Sequence, residues 1–200
     1  MQLNATTLEN IKPEAILPMT TIARQKTWQA VEDIRKMIEP GMTEKQAIKK
    51  ANEYFAAQGV RKFWHRTHIR FGQSTILSFD DAYIEDVVLK ENDIFYIDIG
   101  PVWENIEGDC GNTFVMGNHS EHLKIKSDVK ILFLEAEKYW KENQVAGQKL
   151  QEFVLDRAEK MGYKVHPSYV KGHRLSEFSH SKYSDVGVFD LDFTPAKERW

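Results

Sequence analysis

The chain has 200 residues, 42% of them apolar and 28% charged, with 27 basic and 30 acidic side chains for a net charge of −3. That is the composition of one globular domain with a sizeable core, and the acidic balance argues against a nucleic-acid or anionic-membrane surface. A single cysteine, Cys110, excludes an internal disulfide framework and fits a reducing compartment; no apolar run approaches the ~20 residues of a membrane span.

The first residues, "MQLNATTLENIKPEAILP", lack the basic stretch and apolar core of a signal peptide, so a soluble, cytoplasmic protein is expected. After Pro18, Trp28, Val31, Ile34 and Ile38 recur at three- and four-residue steps, predicting a helix that ends at Pro40-Gly41. Thr43, with Gln46 three residues on, is a capping-box signature for a second helix. Ala47, Ile48, Ala51 and Phe55 form its apolar face, and Gly59 is its stop. From Val60 to Gly117 the pattern changes to strands: "KFWHRTHIRFG", "DIFYIDIG" and "NTFVMG", the last two separated by a loop with Pro101 and Gly108. Helix patterns then return. Val129, Leu132, Phe133, Ala136 and Trp140 form one face; Leu150, Phe153, Val154 and Ala158 form another, and Gly162 stops it. Strand-like sequence with Tyr163 and Val165 follows. The order helix–helix–strands thus occurs twice, over 18–117 and again over 120–200, within one α+β domain.

Within "DIFYIDIG", Asp98 lies in an apolar, strand-forming run, where an unpaired charge costs several kcal/mol. Asp109 follows eleven residues later, at the start of the next strand pattern. If the two strands pair, both carboxylates meet, and they repel unless a proton or cation sits between them. The plain alternative is a bulge or turn role for Asp98 and an Asx turn at Asp109. His173 and His180, seven residues apart in "GHRLSEFSH", add two nitrogens that fit a metal site, although that spacing alone does not put them on one face. His119, His122 and His166 read as surface residues. Arg61, Arg66 and Arg70 interleave with Phe63, Trp64 and Phe71, but the global charge weighs against a nucleic-acid surface.

"YIDIG", "DCGNTF" and "GHRLSEFSH", in this order and spacing, resemble the pita-bread metallopeptidases, which include methionine and Xaa-Pro aminopeptidases. The resemblance runs from Pro18 to the C-terminus. It implies a pseudo-symmetric pita-bread (creatinase/aminopeptidase-like) fold and hydrolysis of the first peptide bond of a peptide, or of a small amide, with two divalent ions (Mn, Co, Fe or Zn). Asp98, Asp109 and His173 would be metal ligands, and His180 would act on the substrate or the developing oxyanion. Where those peptidases carry a substrate-contacting His, this chain has "LSFDD", Leu77 to Asp81; His65 and His68 would take that role only through a rearranged loop. Tyr169 stands where Xaa-Pro aminopeptidases have a His, and Arg174 and Ser176 replace the glycines usual after the metal His. The family also uses two glutamates from strands further on, so an incomplete second unit, weak metal binding and little turnover are expected of these 200 residues. A non-catalytic binding module on the same fold is the alternative. The expected partner is a peptide or small amide, with no nucleic acid and no membrane; a homodimer stays open.

Overall fold

The computed structural model describes residues 13–78, 81, 82, 84, 87–145, 147–166, 175 and 178. His173 and His180, with the Tyr169, Arg174 and Ser176 positions, lie outside them. Helix α1 spans Pro13–Lys36 and α2 spans Glu44–Ala57. Strand β1 (His68–Phe71) leads through a 3₁₀ turn (Gly72–Ile76) toward β2 (Asp93–Ile99). A short hairpin of β3 (Val102–Trp103) and β4 (Ile106–Glu107) precedes β5 (Cys110–Met116). Helices α3 (Ser120–Asn143) and α4 (Gly147–Lys160) follow. These elements form two compact units, one from Pro18 to Lys126 that includes Leu175 and Phe178, the other containing α3 from Ser127 onward and α4.

In the first unit β2 is the centre of an antiparallel sheet ordered β1-β2-β5. Because side chains alternate across a strand, its two faces differ sharply. One face carries Ile69, Phe71, Phe95, Ile97, Ile99, Cys110 and Phe114, and joins Ala23, Ala30, Val31 and Ile34 of α1 and Ala47, Ala51 and Phe55 of α2 in a single core. The register places His68 opposite Asp98, Arg70 opposite Tyr96, Asp98 opposite Gly111 and Tyr96 opposite Thr113, so the other face is polar. The α2 start is as expected: Thr43 accepts from the Gln46 N–H, and the Gln46 side chain accepts from the Thr43 N–H. Gly59, at φ +76°, provides the left-handed turn that ends it.

Four local expectations need correction. Trp28 is 37% exposed; the buried stripe of α1 runs through Ala23, Thr27, Ala30, Val31 and Ile34 instead. Thr27 is buried because its hydroxyl donates to the Ala23 carbonyl and accepts from Trp103 Nε1, so a polar residue occupies a core position fully satisfied. The strand expected over "KFWHRTHIRFG" exists only from His68, and the loop between β2 and β5 contains the β3–β4 hairpin. That hairpin turns at Glu104 and Asn105, both at positive φ, the geometry of a two-residue primed turn. Tyr163–His166 form no strand.

In the second unit Asp128, Glu135 and Tyr139, on one stripe of α3, meet α4 and the residues just after it. Tyr163 Oη donates to Asp128 (2.6 Å), Arg157 binds both oxygens of Glu135 (2.5 and 3.0 Å), and Tyr139 stacks on Phe153 at 4.1 Å. The apolar stripe expected in the core is elsewhere: Val129 and Trp140 are exposed and Phe133 is 63% exposed. Periodicity identifies an apolar stripe, but the partner that covers it is a tertiary matter. No helix among the described residues is long and apolar enough to cross a membrane.

Candidate metal centre

The polar sheet face ends at Asp98 on β2 and at Asp109, just before β5. Pairing of Ile99 with Cys110 and of Asp98 with Gly111 brings the two carboxylates together from adjacent strands. Asp98 is half-buried, with 34% of its side chain exposed, because it alternates out of the core and onto this face. The burial that the apolar run suggested applies to its neighbours Ile97 and Ile99.

The third member comes from the loop before β1. Residues 62–64 run antiparallel to 100–102: the Val102 N–H donates to the Lys62 carbonyl (3.0 Å) and the Trp64 N–H to the Gly100 carbonyl (2.7 Å). This lays the His65 ring against Gly100. Its Nε2 lies 3.5 Å from Asp109 Oδ1 and 3.7 Å from Asp98 Oδ1. Ligand atoms of His65, Asp98 and Asp109 all lie within 4.8 Å of one another. The arrangement depends on glycine, since a Cβ on Gly100 would lie 2.5 Å from His65 Cδ2 and 2.8 Å from Nε2. Gly100→Ala is therefore expected to cost about 1–3 kcal/mol in chemical denaturation, with the His65 ring resonances displaced in NMR spectra. An unshifted His65 in that variant would refute the close packing.

The His65 Nδ1 is 2.7 Å from the Arg66 carbonyl. A carbonyl only accepts, so Nδ1 carries a proton and the neutral ring keeps its free lone pair on Nε2, facing the carboxylates. Metal-binding histidines commonly have this backbone anchor on the second nitrogen. The three donors thus fit a hard or borderline divalent cation. Without a cation, burial opposes a charge on His65, but the Asp109 hydrogen bond and the charges of Asp98 and Asp109, with the Arg66 carbonyl, win and lift it to about 9. At Cys110 next door, burial first, then the Asp109 and Asp98 charges, push the thiol up to about 12 against the pull of Arg24, which disfavours the thiolate.

The structure brings His65 to the two aspartates, and His68 stacks on it with ring centres 5.8 Å apart. His68 is 1% exposed, and burial, followed by the charges of His65, Arg66 and Arg70, holds it down at about 4. The "LSFDD" segment is tied to the same face. Arg70, fully buried, donates to the carbonyls of Ser78 (3.3 Å) and Asp81 (3.0 Å), and Tyr96 Oη donates to the Leu77 carbonyl (3.4 Å). Arg70 therefore belongs to the interior and not to a basic surface. A cavity of about 570 Å³ opens beside His65, walled by Ile48, Asn52, Phe63, Trp64, Arg66 and Thr67. From sequence, His65 is expected to reach the substrate only through a rearranged loop. The signal that places it with Asp98 and Asp109 is the Gly100 in "DIGP", which leaves room for a ring.

Residues 19–187 match the family model for metallopeptidase family M24. Among solved structures, the chain is similar to an X-Pro aminopeptidase from Thermotoga maritima (TM-score 0.69, 21% identity, covering 95% of this chain and 53% of that one). It is also similar to a prolidase from Pyrococcus horikoshii (TM-score 0.67, 21% identity, 96% and 54%) and a methionine aminopeptidase from Thermotoga maritima (TM-score 0.62, 18% identity, 84% and 66%). No curated protein matches. The chain spans about half the length of the first two of these, and the likeness establishes an α+β pita-bread fold. With most of its length matched by the family model, the chain belongs to metallopeptidase family M24.

Proposed function

We propose that this protein is a metal-dependent aminopeptidase that removes the first residue of a peptide, using a dinuclear site built around Asp98, Asp109 and His65. The observation that carries the reading is the convergence of two carboxylates and a backbone-anchored imidazole at one end of the polar sheet face. Asp98 and Asp109 would hold the divalent ions, with manganese as the first candidate, and His65 would be either a ligand or the contact to the substrate. When bound, such ions supply an activated water and a polarised peptide carbonyl. The chain's own residues supply the rest. Gly100 admits the His65 ring, the Arg66 carbonyl fixes its tautomer, and Arg70 with Tyr96 holds the Leu77–Ser78 backbone over the same face. The Phe63–Trp64 cavity beside His65 offers room for a substrate side chain.

His173 as a further ligand and His180 as the oxyanion contact are part of the same proposal, resting on "GHRLSEFSH" within the family match. So is a cytoplasmic location, which rests on the single cysteine. Preference for proline at the second position is the less supported part, because Tyr169 departs from the Xaa-Pro pattern.

The test is a Mn²⁺ titration of the chain followed by incubation with tripeptides with and without proline at the second position. Expected are Mn²⁺ binding that is lost in Asp98→Asn, and release of the first residue at a low rate that needs Mn²⁺. Metal bound without release would favour the binding-module reading. Absence of Mn²⁺ binding would overturn the metal centre itself.

A further inference from the structure

A second pair of imidazoles lies at the other end of β5. Two residues after that strand and its Gly117 turn, His119 precedes α3, and its carbonyl accepts the Leu123 N–H that closes the first helical turn (3.0 Å). His122 stands one turn on, so both side chains share one side of the helix start. Their ring centres are 4.3 Å apart. His122 is half-buried, and its Nδ1 is shut off from solvent with no hydrogen bond from any described residue. A nitrogen in that state lacks a partner that water would otherwise provide. The seven residues of β5 separate this pair from Asp109 by more than about 20 Å along the strand.

We propose that His119 and His122 form a mononuclear site for a borderline divalent ion of the Cu²⁺ or Ni²⁺ class, independent of the aspartate centre. With metal–nitrogen bonds of about 2.0–2.1 Å, two imidazoles at right angles on one ion have ring centres about 4.5 Å apart, and at the tetrahedral angle about 5 Å. The observed 4.3 Å is close enough for the two rings to share one ion, and imidazole nitrogens suit Cu²⁺ and Ni²⁺. Bound at the His122 Nδ1, the ion would take the lone pair that no described residue meets. The two centres select different cations by ligand type. The carboxylate pair favours a hard ion such as Mn²⁺, whereas a site of two nitrogens and no carboxylate offers Mn²⁺ little.

The experiment is a Cu²⁺ titration of the whole, tag-free chain in excess Mn²⁺, followed by electron paramagnetic resonance and by calorimetry. Expected is one tight Cu²⁺ per chain whose spectrum carries coupling to two imidazole nitrogens. His119→Ala and His122→Ala should each weaken binding by about tenfold or more, with unchanged circular dichroism. His166→Ala should bind Cu²⁺ as the parent does. An unchanged titration in the His119→Ala/His122→Ala double variant would overturn the proposal, and so would Cu²⁺ binding that is lost in Asp109→Asn.

Discussion

Asp109→Asn is expected to lower Mn²⁺ affinity by roughly 100-fold or more, because an amide oxygen has neither the charge nor the second anionic donor of a carboxylate. The substitution conserves shape at a position just outside β5, so the sheet pairing is expected to survive. It also removes the strongest interaction that favours the His65 cation. Two readouts should therefore move together: calorimetric Mn²⁺ affinity falls, and the His65 titration followed by NMR in the metal-free chain shifts to lower pH. Metal affinity equal to the parent's would show that Asp109 is not a ligand. A fallen affinity with an unmoved His65 would separate the metal role from the ion-pair role.

The metal-free chain should lose about 3 kcal/mol of stability between pH 6.5 and about 9. The sign follows from proton counting. The folded His65 keeps its proton up to about 9, whereas the unfolded side chain releases it near 6.5. Across that window the folded state holds more protons, so raising the pH favours unfolding. Its contribution is complete below 6.5 and gone above about 9. His68 acts in the opposite direction. Its folded value of about 4 lies below the unfolded 6.5, so it contributes stability above 6.5 that fades as pH falls toward 4. Together the stacked pair places an optimum near pH 6.5. Denaturant titrations with a chelator present, at half-unit pH steps, measure both slopes. His65→Gln should flatten the alkaline slope and also ease the acid one, because it removes one of the charges that hold His68 down. If the alkaline slope persists in His65→Gln, the proton is held elsewhere.

Both results depend on where a loop histidine lies, and that marks how far the linear chain is informative. Local features were legible: the Thr43–Gln46 capping box, the Gly59 stop, the apolar face of α2 and the strands around Asp98 and Asp109 all follow from side-chain chemistry within a few residues. So was the meeting of the two aspartates, because an antiparallel connection between neighbouring strands leaves few registers. Other outcomes depended on partners distant in sequence. Trp28 lost its core position to Thr27, since a buried hydroxyl with Ala23 and Trp103 as partners costs little. Val129, Phe133 and Trp140 of α3 are exposed, while α4 packs on Glu135 and Tyr139. His65 reaches the aspartates because 62–64 pair with 100–102 and Gly100 has no side chain. Sequence by itself determined the four helices, the strands around Asp98 and Asp109 and which carboxylates can converge, because those follow from periodicity and short loops. Tertiary structure alone decided that His65 lies beside them, because that requires a contact across 33 residues, from His65 to Asp98, whose energy appears only once the chain has folded.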